Sequence, residues 1–346
     1  MNAQQQAILE AFDAARSASP RLPAISIAER LAISEGELQA ARLGRDVTTL
    51  TLAPAELAAE LCRLGRVKAL TRSSATVLEQ QGQYPPLTSA GLLLDPGGLD
   101  LRLQLQRWHW ACLIRDPLPD ASGATSLRQS LQIFDCHGQA LHKVFSLEPT
   151  PPRIWQRLVA SGNHTAPVFT RLALPSARPL PQAPGLEEEW SRMRDVHQFF
   201  ALLRRHGLQR HEANALMEGR FTRRLACHSV EGILNGAADQ RLPLMLFVAS
   251  PGAVQIRTGV TPAPVRKRGW LNLFGDDFTL HLDDGRIERV WQVHKPNRDG
   301  GVTSLEAFSC DGELLLQLYA ERSEGRAERQ AWRDLLAQQA GLEAAA

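Results

Sequence analysis

Asp195, Val196, His197, Gln198, Phe199, Phe200 and Leu203 bring an imidazole up against an apolar stripe. Val196, Phe199, Phe200 and Leu203 recur at i, i+3, i+4 and i+7, the period of one helix face. The spacing predicts a short amphipathic helix with His197 on the shoulder of the stripe, one turn below Phe200 and Ala201. An imidazole so placed can dock a flat, metal-containing macrocycle, with carbons burying the ring and nitrogen taking the metal. The same spacing fits an ordinary hydrogen-bonded histidine. The helix alone does not decide between the two.

Size and composition narrow the choice. At 346 residues the chain is long enough for two domains or one large duplicated fold. Its 44% hydrophobic content supports a substantial core, and a net charge of +2 argues against a broad field for nucleic acid or membrane. Any site for an anionic ligand must therefore be local. No apolar run approaches the length of a membrane span, so no stable membrane insertion is expected. Met1–Gln6 has neither a basic start nor an apolar stretch, so no export signal is expected there. Five scattered cysteines (Cys62, Cys112, Cys136, Cys227, Cys310) form no CxxC pair and suit a reducing compartment. The expected location is the cytoplasm.

The elements that would position His197 belong to a duplication. Ser130, Leu131, Phe134, Cys136, Gly138, Leu141 and Phe145 align without a gap on Ser304, Leu305, Phe308, Cys310, Gly312, Leu315 and Tyr319. Each stretch reads as strand, tight turn and strand, a β-hairpin. Upstream, Leu99–Leu103 pairs with Phe278–Leu282 and Gly91 with Gly269; downstream, Ile154–Ala160 pairs with Ala331–Ala337. The expected fold is α+β and internally duplicated, two similar halves each with a large twisted antiparallel sheet and flanking helices. Eight of the 21 prolines fall between Pro149 and Pro184, predicting an extended connector over 161–186 between a first half, 1–160, and a second, 187–346. The second half opens on a helix predicted from Leu186 through His197.

These residues resemble the cytoplasmic haem-utilisation, or hemin-degrading, proteins of Gram-negative bacteria. The likeness is carried by Asp195–Phe200, Leu99–Leu103, Gly269–Phe274, Phe278–Leu282, Lys295–Glu306 and Gln317–Arg322, in order over nearly the whole chain. The resemblance implies haem b as ligand, with His197 as the proximal ligand of its iron and Arg102, from the first half, on the distal side. It implies Tyr319 lining the distal pocket, and Arg210, Lys295, Gln317 and Arg322 around the propionates. It also implies delivery by an inner-membrane haem ABC transporter and hand-over to a haem oxygenase.

Residue chemistry agrees with several of these roles. Haem carries two carboxylates, and the planar fork of arginine suits them. Along Leu99–Leu105 the leucines share one side, with Asp100, Arg102 and Gln104 on the other. Gln317 and Tyr319 likewise share a strand face. Lys295 and Arg322 are expected to be partly exposed charges. Where relatives often carry a histidine in the first half, this chain has Leu78, which puts a second haem site in doubt. His206 and His211 are candidate alternative ligands or solvated helix-end residues, and His281, the mate of Arg102, reads as structural.

Two questions stay open at this level. Ser26–Leu38 looks like a helix-turn-helix with capping boxes at Ser26/Glu29 and Ser34/Glu37. Its second helix begins Ser34-Glu35-Gly36-Glu37, placing carboxylates where phosphates should be met, so a helical cap on the first sheet is expected rather than DNA binding. Carrier and degrading enzyme are not separated by any motif. No glycine-rich dinucleotide fingerprint is present, so degradation would need an external reductant.

Overall fold

Alternation builds the strands as expected. Val67–Arg72 and Leu244–Ser250 are buried at every second residue, the period of a pleated ladder with one face on a core. The structure, a computed structural model, describes residues 3–88, 91–119, 125–171, 179–323 and 325–339. The chain divides into two units, the first Met1–Thr71, Glu79–Ala173 and Ser250–Gln255, the second Arg72–Leu78, Leu174–Ala249 and Ile256–Ala346.

The first unit begins with helices α1 (Ala3–Ala18), α2 (Ala24–Arg30) and α3 (Glu35–Ala41). Strand β1 (Val47–Thr49), helix α4 (Pro54–Glu60), and strands β2 (Val67–Arg72) and β3 (Thr76–Gly82), the latter of this unit only from Glu79 on, follow. Then come β4 (Leu92–Leu93), β5 (Asp100–Leu103), β6 (Trp110–Pro119), β7 (Thr125–Phe134), β8 (Ala140–Ser146) and helix α5 (Arg153–Ala160). The ladder runs β1-β6-β7-β8-β2, antiparallel throughout. Its apolar face buries Val67, Ala69, Leu131, Ile133 and Val144 against Leu57, Leu61, Trp155 and Leu158. Trp155 also satisfies its ring N–H, which donates to the Leu64 carbonyl at 3.0 Å.

The second unit repeats this plan. It contains α6 (Leu186–Ser191), α7 (Gln198–Arg205), α8 (Arg210–Leu216), β9 (Thr222–Leu225), α9 (Ser229–Asp239), β10 (Leu244–Ser250) and β11 (Ala253–Gly259). Strands β12 (Val265–Lys267), β13 (Trp270–Phe274), β14 (Phe278–Leu282), β15 (Arg289–Lys295), β16 (Val302–Phe308) and β17 (Leu314–Ala320) lead to α10 (Gln330–Ala337). Its ladder β9-β15-β16-β17-β10 is antiparallel and matches that of the first unit strand for strand. Both copies carry an irregularity at the same step, between Ile133 and Phe134 and between Ala307 and Phe308. The matched hairpin turns each need a left-handed residue and use glycine, Gly138 (φ 75°) and Gly312 (φ 81°). The duplicated α+β fold read from the sequence is the fold observed.

Two local expectations are corrected. The helix expected from Leu186 through His197 stops at Ser191, and the next begins only at Gln198. The proposed box at Ser26 is not at a helix start, because α2 begins at Ala24 with Pro23 as its cap. The box at Ser34 forms, with Glu37 N–H donating to Ser34 Oγ and Ser34 N–H to Glu37 Oε2. Glu35 is buried there and takes Lys143 Nζ on both oxygens at 2.6 Å, so the start of α3 seals against the ladder. Of the connector, residues 172–178 lie outside the described residues; the rest, up to Leu186 where α6 begins, carries no helix and only the isolated bridge of Asn163 to Thr49.

A polar relay crosses the first core. Thr71 Oγ1 meets His142 Nδ1 at 2.8 Å, and Tyr84 OH meets His142 Nε2 at 2.6 Å. Burial pushes the His142 imidazolium down to about 4 from an ordinary 6.5. Above pH 6.5 the ring is neutral whether the chain is folded or not. As pH falls from 6.5 toward 4, only the unfolded chain takes the proton, so stability drops by about 3 kcal/mol and then levels off. Urea titrations at pH 7 and pH 4.5 are expected to show that loss in the parent and a clearly smaller one in His142→Gln; equal losses would remove His142 as the cause.

Candidate functional site

His197 stands at the entrance to α7, and its own neighbours hold it there. Asp195 Oδ1 accepts the His197 backbone N–H at 2.8 Å, while Gln198 Oε1 accepts from the N–H groups of Arg194 and Asp195. These side-chain to backbone bonds hold the turn between α6 and α7. The same Asp195 Oδ1 lies 2.7 Å from His197 Nδ1. A carboxylate only accepts, so Nδ1 is the donor in this pair and Nε2 is the nitrogen left for a metal. The His197 backbone and ring hydrogen bonds hold the Asp195 carboxyl below its usual range, and the Arg322 charge adds to this. The ring itself is 79% exposed.

Beside it, α7 buries Phe199, Leu202 and Leu203 with Trp190, Met193 and Trp291. Phe200, expected on the same buried stripe, instead points outward and is 55% exposed. The Arg210 guanidinium lies 5.0 Å from the Phe199 ring centre and 5.4 Å from that of Phe200, so cation and aromatic face are presented together.

Beneath them lies a group that sequence reasoning gave no role: Glu306, fully buried in the middle of β16. Its Oε1 accepts from Arg210 at 2.9 Å, Lys295 Nζ at 2.8 Å, Gln317 Nε2 at 3.0 Å and Ser304 Oγ at 2.9 Å. Oε2 accepts from Asn214 at 3.1 Å. Burial alone would raise this carboxyl. The charges of Lys295 and Arg210 and the hydrogen bonds from Lys295 and Asn214 outweigh it, holding the group well below the carboxylate range. Two cations thus share one carboxylate, leaving a local excess of one positive charge under the aromatic face.

Three residues expected near a ligand are therefore gathered on one carboxylate, and Tyr319 adjoins them. Gln317 Nε2 reaches Tyr319 OH at 3.4 Å, and the Tyr319 ring packs 5.1 Å from Phe247. Lys295, expected to be partly exposed, is 2% exposed and committed to Glu306 and Ser304. Arg322 is exposed in the segment after β17. Arg102 belongs to the first unit, where its Nη1 bonds Asp100 Oδ1 at 2.5 Å from the same strand face. His206 is paired with Glu189 at 3.2 Å, and the His211 ring lies 6.2 Å from that of Phe308. His281 Nδ1 is bonded to Asn272 at 2.6 Å, as a structural residue would be. Leu78 is fully buried in the core of the second unit. One signal was available for what was missed: Asp195 and Gln198 have the spacing of a capping box.

Known proteins resemble this chain in sequence and fold. The family model described as the haemin-degrading HemS.ChuX domain matches the chain twice, over residues 32–161 and 207–339, in keeping with the duplication. The hemin transport protein HemS of Yersinia enterocolitica is 36% identical over 339 residues, which is 96% of this chain and 97% of that one. The solved heme degrading enzyme ChuS of Escherichia coli O157:H7 matches with a TM-score of 0.88 at 35% identity, covering 97% of this chain and 99% of its own. Holo-PhuS, a heme-binding protein from Pseudomonas aeruginosa, matches with a TM-score of 0.88 at 35% identity, covering 98% and 99%. The chain belongs to the haemin-degrading HemS/ChuX domain family.

Proposed function

We propose that this protein binds haem b in its second repeat, residues 187–346, with the iron on His197 Nε2, and serves haem utilisation. The observation that carries the reading is the Asp195–His197 pair. It leaves Nε2 of an exposed imidazole as the nitrogen available to a metal, beside the outward ring of Phe200 and the cation of Arg210. Those are the parts that haem requires: an axial base, an apolar face and a positive rim for two carboxylates. Arg210 and Arg322 meet propionates directly. Lys295 and Gln317 act through Glu306, supplying the field rather than the contact. Tyr319 lines the ligand pocket.

The relatives named for hemin transport and heme binding favour a carrier, which takes haem from an inner-membrane ABC transporter and passes it to a haem oxygenase. A single neutral imidazole suits that task, because it can be exchanged for another ligand. The relative named as a heme degrading enzyme supports a second reading, in which the bound haem is itself broken down with electrons from an outside reductant. Five free cysteines fit work in a reducing, cytoplasmic setting. Haem-loaded protein given reductant in the presence of catalase separates the two readings. A Soret band that persists until a haem oxygenase is added marks the carrier, and catalase-resistant loss to a stoichiometric tetrapyrrole product marks the enzyme.

Three outcomes are expected of variants. His197→Ala shifts the Soret maximum and weakens haem binding at least roughly tenfold, about 1.4 kcal/mol. Asp195→Asn keeps the ligand but loses its orientation, weakening binding by roughly 10-fold or more; an unchanged spectrum in both moves the iron elsewhere. Lys295→Ala costs about 3–5 kcal/mol of folding stability in urea titrations, since it strips a buried carboxylate of a partner. A loss under ~1 kcal/mol, the surface-pair value, would contradict its burial.

A further inference from the structure

A cleft of about 460 Å³ opens in the second unit, between the C-terminal end of α9, the end of β11 and the turn from β13 to β14. It shares no residue with the proposed haem site, and its volume suits a small molecule. Arg257 is the cation most firmly built into it. The guanidinium lies 4.6 Å from the Phe278 ring centre, held flat on the aromatic face. Two glycines make room for this stack. A Cβ on Gly275 would collide with Phe278 Cε1, and one on Gly259, whose φ is 132°, would fall 2.7 Å from Arg257 Nη1.

The polar groups so placed are not spent. Arg257 reaches Asp277 only at 3.5 Å, and its Nε is buried with no hydrogen-bond partner. Thr261 lines the same cleft, is 3% exposed, and has an Oγ1 equally without a partner. Unmade hydrogen bonds of this kind are costly, and both donors call for an acceptor. A carboxylate fits, because its planar oxygens match the guanidinium fork. The remaining charges limit what else the ligand carries. Three carboxylates, Asp239, Asp276 and Asp277, face the guanidiniums of Arg241 and Arg257, so a multiply charged anion would be repelled. Asp239 and Asp276 form no ion pair among the described residues. Asp239 also stands in the last turn of α9, where helix carbonyls already favour a cation. That helix closes with the Arg241 N–H on the Ala238 carbonyl and the Leu242 N–H on that of Ala237. Arg241 takes the left-handed conformation there, φ 50°, where glycine is usual, and is thereby brought to the cleft. The apolar wall includes Phe274 and Val260, 46% and 41% exposed.

We propose that this cleft binds a small zwitterion with an apolar body, of the class of an apolar amino acid. Arg257 and Thr261 take its carboxylate, Asp239 and Asp276 its ammonium, and Phe274 and Val260 its side chain. Each charge of such a ligand meets its opposite, and its apolar part covers rings that otherwise face water. The site goes beyond haem binding and does not depend on it.

Isothermal titration calorimetry of the full chain with L-phenylalanine and with L-leucine tests the proposal. At least one is expected to bind saturably. Its analogue without the ammonium (phenylpropionate or isocaproate) and its analogue without the carboxylate (phenethylamine or isopentylamine) are each expected to bind roughly tenfold or more weakly. Arg257→Met, which keeps the packing on Phe278, is expected to weaken amino-acid binding by roughly tenfold or more with circular dichroism unchanged. If that variant does not fold, Thr261→Val, which removes only the hydroxyl, is expected to weaken binding in the same direction. No saturation by either amino acid below about 10 mM overturns the proposal. So does equal affinity for either singly charged analogue, or binding undiminished in both variants.

Discussion

A carboxylate with no access to water must be paired, and Glu306 is where this protein meets that demand. Its position inside β16 draws Arg210 in from α8, Lys295 from β15, Gln317 from β17 and Asn214 from α8. One charge therefore ties the helical layer to the ladder. Buried ion pairs often add little net stability compared with apolar packing. What this one supplies is arrangement: it fixes two long, flexible cations in place and leaves an uncompensated positive charge beneath Phe199 and Phe200. Without Glu306, Lys295 would be a buried ammonium with no counter-charge and Arg210 would be free to turn to water.

The other half of the site is held by a different device. His197 is exposed and belongs to no core, so packing cannot aim it. Asp195 does so instead, accepting from both the backbone and the ring of the same histidine. The aiming is local, within three residues, and the ring stays accessible. A stiff cation cluster below and an exposed, singly tethered imidazole above suit a ligand that must enter and leave. The apolar rings between them are divided in the same way, Phe199 buried for the fold and Phe200 turned outward.

Much of this was legible in the sequence. The paired hairpins Ser130–Phe145 and Ser304–Tyr319 disclosed the duplication because glycine turns and strand apolar residues recur at fixed offsets. His197 stood out because an imidazole beside four aromatic or aliphatic neighbours at helical spacing is a recognisable chemical pattern. The length of its helix was misread because apolar periodicity does not register the side chains of Asp195 and Gln198 competing for backbone N–H groups. Glu306 was passed over because a glutamate in a strand ordinarily faces water. Val302–Phe308 shows no alternation and is buried at every position, and burial on both faces depends on neighbours far away in the chain. Lys295 was misjudged for the same reason: its exposure is decided by Glu306, eleven residues on.

A crystal structure of the haem-loaded protein tests the central claim most directly. The account predicts iron bonded to Nε2 of His197, with Asp195 still on Nδ1 and a propionate against Arg210. Iron bonded to any other residue, or a haem lying away from α7 and β17, would contradict it.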